Sequence, residues 1–115
     1  MGNGVVFEKV KAMLPVSGDA YDQEIILQIK ACALDLTKTS EFVMPGTISI
    51  SRSDQGVITD NSTVTDELVI TAIAIWCNMR IGNPPNYDQL RTAYEGMKGS
   101  LRLSSAYNGT EVTTA

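Results

Sequence analysis

The chain predicts a mainly α fold: a small four-helix domain with an inserted β-hairpin between helices 2 and 3 and a flexible C-terminal tail. Three observations carry this. Apolar residues recur at steps of three and four along most of the chain, the spacing of one face of a helix. Over Thr47-Ile48-Ser49-Ile50-Ser51 the period changes to polar–apolar alternation, the spacing of a strand. Pro15 and the pair Pro84-Pro85 set hard stops, because proline lacks the N–H and its ring clashes with the preceding turn. The expected organisation is one helical domain over residues 1–104, a hairpin at about 46–60 within it, and a tail over 105–115.

The first helix is expected from about Gly4 to Leu14, with Val6, Val10, Met13 and Leu14 on one face, Asn3 as its cap and Pro15 ending it. So short a helix is held by packing rather than by propensity. The second is expected from an Asp19 cap to about Thr39, where Thr-Lys-Thr-Ser lowers helical propensity. Its core stripe is Ile25, Ile29, Cys32 and Leu36, widened by Ile26, Ala33, Leu27 and Leu34. Asp22 and Glu24 fall in the first turn, where the helix dipole favours negative charge.

The hairpin pairs the alternating run with Val57-Ile58-Thr59 across an Asp54-Gln55-Gly56 turn. An isolated hairpin is marginal in water, so it must lean on the helices or on a neighbouring subunit. Its edge carries unpaired backbone groups suited to docking. Ile48, Ile50, Val57 and Ile58 are therefore candidate subunit-interface residues.

Helix three opens on two overlapping caps, Thr63 with Asp66 and Thr65 with Asp66 and Glu67, and is apolar on almost every side from Leu68 to Ile81. A helix greasy all round is central to its domain. Arg80 in the last turn and Gly82 beyond it close the helix. Helix four is expected to begin at Asn86 and to bury Leu90, Tyr94, Met97 and Leu101. Gly96 and Gly99 inside it each cost about 1 kcal/mol relative to Ala, and close approach of another backbone, in the same chain or the next, is the expected reason. After Leu103 the chain reads SSAYNGTEVTTA, too poor in apolar residues to fold alone.

Composition restricts function. An apolar fraction of 43% and a charged fraction of 19% are those of a globular domain, and 115 residues fit one domain. Asn78 and Arg80 interrupt the longest apolar run, no basic region followed by an apolar core opens the chain, and Val6 stands where a myristoylation motif needs Ser or Thr. The expectation is a soluble, cytosolically made protein. A net charge of −4 with scattered basic residues argues against gripping phosphates, which takes clustered Lys and Arg. An acidic or neutral ring lumen would still let DNA pass without sticking.

No histidine is present, which removes the commonest general base and metal ligand. Cys32 and Cys77 match no zinc or redox spacing and read as buried thiols. No glycine-rich phosphate cradle follows a strand. The pairs Asp22/Glu24 and Asp66/Glu67 sit where helix starts prefer acid, and Tyr87, Tyr94, Tyr107 and Trp76 lack the interleaved cations of a base-stacking surface. No catalytic residue, cofactor or metal site is expected.

One stretch is more specific. From Val64 to Asn108 the chain runs from an apolar helix with Ile75-Trp76-Cys77, through Gly82-Asn83-Pro84 and Tyr87, to a helix with Leu90 and Tyr94, closing on Leu101-x-Leu103 and Tyr107. This order resembles the small head–tail connector (adaptor) proteins of long-tailed bacteriophages. The hairpin insertion and polar segment from Met44 to Ser62 depart from the leanest form of that pattern. The resemblance implies a non-catalytic virion protein at the head–tail interface, present in the host cytoplasm during assembly. It implies a dodecameric ring beneath the portal protein that extends the DNA channel, contacts DNA without reading sequence, and receives a stopper or tail-completion protein below, with no membrane involved. A heterologous ring needs two different patches per subunit. Candidates are the third helix, the hairpin and the Gly96/Gly99 face, while Ser104, Tyr107, Asn108, Glu111 and Val112 of the tail are candidates for portal docking.

Two other classes compete. A DNA-binding packaging factor of small-terminase type would need a basic recognition helix, yet the second helix sets Lys30 and Lys38 against Asp22, Glu24 and Asp35. A host-directed regulatory binding protein would act through the hairpin and be absent from virions.

Overall fold

The structure, a computed structural model, describes residues 4–39, 42–81 and 84–114, with side chains described as far as residue 101 apart from Thr39. In chain order come α1 (Val6–Ala12), α2 (Asp22–Thr39), strands β1 (Ile50–Arg52) and β2 (Ile58–Asp60), α3 (Glu67–Arg80) and α4 (Tyr87–Thr114). The four helices and the hairpin between α2 and α3 agree with the fold expected from sequence.

α1 is capped from a distance. Its N-cap position is Val5, with no side-chain cap of its own, and Asn3 lies outside the described residues. Asp60, at the end of β2, does the work instead. Its carbonyl accepts from the Gly4 N–H at 2.8 Å. Its carboxylate accepts from the Phe7 N–H and the Ser62 N–H, each at 2.8 Å. Asp60 is buried, and a buried carboxylate is tolerated when donors surround it. Gly4 is needed for the approach, since a Cβ there would collide with the Asp60 carboxylate and stand 2.8 Å from the Ser62 nitrogen.

α3 is the central helix, packed against α4, α2 and α1. Val69, Ile70, Ala72, Ile73, Ala74, Cys77 and Met79 are all buried on it, as its pattern requires. Its N-cap is Asp66, whose carboxylate accepts from the Leu68 N–H at 2.8 Å and the Val69 N–H at 3.4 Å. The two threonine caps expected from sequence are not used: Thr63 is drawn into the hairpin, where its hydroxyl accepts from the Thr47 N–H at 2.7 Å. α3 closes on Ile81 in extended conformation, its N–H bonded to the Cys77 carbonyl at 2.9 Å; Gly82 lies outside the described residues.

α2 buries Ile25, Ile26, Ile29, Cys32 and Leu36 against α3. Leu27 and Leu34, expected to widen that stripe, instead face outward at 51% and 56% exposure. Seven residues apart, they share one face, and α3 covers only the opposite one.

β1 and β2 are antiparallel, with Ile50 opposite Asp60, Ser51 opposite Thr59 and Arg52 opposite Ile58. The turn closes at Gly56, whose φ of 86° suits a residue without Cβ; its N–H reaches the Ser53 carbonyl at 2.9 Å. Pairing continues below the strands, Asn61 N–H to the Ser49 carbonyl at 2.7 Å and Thr63 N–H to the Thr47 carbonyl at 2.9 Å. α4 follows the Pro84-Pro85 break, buries Tyr94 and Leu101 and traces a helix through Thr114, past the change of composition at Leu103.

Candidate functional site

A set of part-buried polar groups between the helices fastens them together. The Tyr94 hydroxyl donates to Asp35 at 2.6 Å and lies 3.6 Å from the Cys32 sulfur. Lys98 pairs with the same Asp35 at 3.1 Å. Trp76 stacks obliquely on Tyr94, with ring centroids 5.2 Å apart, and donates its indole N–H to Gln28 at 3.0 Å. The Arg80 guanidinium covers the outer face of the indole at 4.0 Å. One cluster thus ties α2, α3 and α4 together, with each polar tip of a large ring given a partner.

Its chemistry is quiet. Burial pushes the Cys32 thiol from its ordinary 9.0 up to about 12, and burial raises Cys77 further. The thiolate is the reactive form of cysteine, so both thiols are inert near neutral pH. The Tyr94 hydroxyl is raised well above its ordinary value, first by burial and then by Cys32 and Asp35, which keeps it a donor. Asp22 is held by the Lys11 ammonium. Among the described residues no three of His, Cys, Asp or Glu are grouped so as to hold a metal ion, and no described helix is long and apolar enough to cross a membrane.

The surface offers more. Gln23, Leu27, Lys30, Leu34 and Lys38 form an exposed row along the outer side of α2, with the exposed Glu24 beside its start. Among the described residues neither lysine has a carboxylate partner within 4.0 Å. Beside this row a groove of about 320 Å³ is lined by Lys30, Ala33, Leu34, Thr37, Met44 and Ile48. Val43, next to it, is 73% exposed. A second cleft, of about 630 Å³, opens where the α1–α2 loop meets the end of α3, between Val16, Tyr21, Asn78 and Pro84.

The sequence-named interface residues separate. Ile50 is buried in its own core, Ile48 and Ile58 are half-buried against it, and Val57 is 50% exposed. The hairpin therefore leans on its own domain. At Gly96 and Gly99 an added Cβ would meet nothing within 4 Å. Among the described residues, then, no close approach of another backbone accounts for these glycines. Ser104, Tyr107, Asn108, Glu111 and Val112 stand on the last stretch of α4, whose side chains lie outside the described residues.

Sequence reading missed the outer row of α2. The signal was present: Leu27 and Leu34 lie half a turn from the Ile25, Ile29, Cys32 and Leu36 stripe, and one helix cannot bury both sides in a domain this small. No family model, no curated protein and no solved structure matches this chain.

Proposed function

We propose that this chain is a structural head–tail connector of a tailed bacteriophage, a non-catalytic adaptor that forms a ring beneath the portal and docks the stopper or tail. The reading is carried by the residue order from Val64 to Asn108: the apolar helix with Trp76, the Gly-Asn-Pro-Pro break, and the Leu90/Tyr94/Met97/Leu101 helix. Three features support it. The part-buried polar groups between α2, α3 and α4 are engaged in joining those helices. The α2 row and the glycine face of α4 both leave surface available to neighbours. The exposed side of α2 interleaves its two lysines with two leucines, a poor match to a phosphate-tracking stripe. The residues after Leu103 are assigned to portal attachment.

Electron microscopy of lysates from the parent phage with this gene inactivated tests the proposal. DNA-filled heads lying apart from finished tails, and joined when purified protein is added, are the expected result. Empty heads would transfer the role to packaging. Normal virions would sink it.

A further inference from the structure

We infer that the outer row of α2 is the docking face for α4 of a second copy of this chain, packed antiparallel. The inference rests on the ring reading above and adds which surfaces meet. The α2 row runs Leu27, Lys30, Leu34, Lys38, all exposed. Opposite the buried Tyr94 and Leu101 side, α4 presents Asp88, Thr92, Glu95 and Gly99, the first three exposed and the glycine half-buried. Each row spans eleven residue steps, about 16 Å of helix.

Laid antiparallel, the rows match position by position. Lys38 faces Asp88, Leu34 faces Thr92, Lys30 faces Glu95 and Leu27 faces Gly99. Both lysines meet an acid, and both leucines meet a small or short side chain. Among the described residues nothing stands within 4 Å of a Cβ at Gly96 or Gly99, so a leucine from outside can settle close to the helix backbone, as ridges settle into grooves. Glu95 is only loosely engaged at home, 3.9 Å from Lys98. Arg91 flanks the row and is a like charge that the two acids must outweigh.

Both rows point away from the core of their own subunit, so one chain cannot satisfy itself. The two faces differ, so the contact is heterologous: each copy uses α2 on one side and α4 on the other, and repetition closes a ring or grows a filament. Lysines facing acids also set register and direction, the usual contribution of charge at an interface.

A charge swap tests this. Sedimentation velocity over a concentration series should show that the full-length protein self-associates. Lys30→Glu with Lys38→Glu should weaken association on the order of a hundredfold while the circular dichroism spectrum is unchanged, since both positions are exposed. Adding Asp88→Lys and Glu95→Lys to that same chain should restore association. An unchanged assembly of the double variant, a failure of the fourfold variant to reassemble, or a monomeric wild type at every concentration overturns the pairing. So does a double variant that assembles normally but no longer joins heads to tails, because the face then serves another protein. The two readings fail separately. A charge swap that behaves as expected in a phage with normal virions would keep the pairing and remove the connector role. Head–tail joining by a double variant that assembles like wild type would do the reverse.

Discussion

Asp60 does more than its place in the hairpin suggests. One buried residue accepts three backbone N–H groups, from Gly4, Phe7 and Ser62, and so couples the start of α1 to the end of β2. Asp60→Ala would leave the Phe7 and Ser62 donors unpaired in a buried setting. It should lower stability by roughly 2–3 kcal/mol, read as a shift in the denaturant midpoint, whereas Asn61→Ala next door, exposed, should be neutral. The thiols give a second handle. Above pH 9 the unfolded chain loses the Cys32 proton that the native state keeps to about pH 12. The native state then binds more protons than the unfolded one, so stability is whole below pH 9 and falls as pH rises through that window. The slope is about 1.4 kcal/mol per pH unit for each such thiol. Cys32→Ala should flatten the alkaline limb by that amount, followed through the fluorescence of the single tryptophan, Trp76; an unchanged slope would show that the thiol titrates normally.

The helices divide into those that hold the fold and those that face outward. α3 spends most of its surface on the core, though Leu68 at its start is 53% exposed. α2 and α4 each bury one side and leave the other open, and on α4 the open side includes two glycines. With no neighbour among the described residues within 4 Å of an added Cβ at Gly96 or Gly99, replacing both by Ala should stabilise the isolated subunit by about 1 kcal/mol each through helix propensity. A melting temperature unchanged or lowered would mean that something does pack there. The end of α4 carries a separate expectation. Leu101 is the last described core residue of the helix, so a chain ending at Leu103 should melt within a few degrees of the full one. By the proposed role it should also lose attachment to the portal, measured by co-sedimentation with DNA-filled heads. Retained attachment would count against the tail as the docking segment.

Taken together, the subunit is a helical block whose interior is settled and whose outward faces are not. The cluster of Asp35, Lys98, Trp76 and Gln28 around the buried Tyr94 fastens three helices. Such fastening would suit the proposed adaptor, because small errors in subunit shape would add up around a closed assembly. The electron-microscopy outcome set out above is the decisive check at this level, since only particles report whether the faces serve assembly.

Much of the fold could be read directly from the residues. The period of three and four, the alternation at Thr47 to Ser51, and the prolines at 15, 84 and 85 identify four helices, a hairpin and the breaks between them, because these are local rules about spacing and backbone chemistry. Caps were less legible. Thr63 and Asp66 compete for one role, and the loser was chosen by Thr47, sixteen residues away. The α1 cap was illegible, since Asp60 reaches it from 53 positions along the chain. Which leucines of α2 are buried, and whether any backbone approaches the glycines of α4, were likewise decided by packing. Those answers depend on which elements lie side by side, and sequence spacing carries that information only within a single helix or strand.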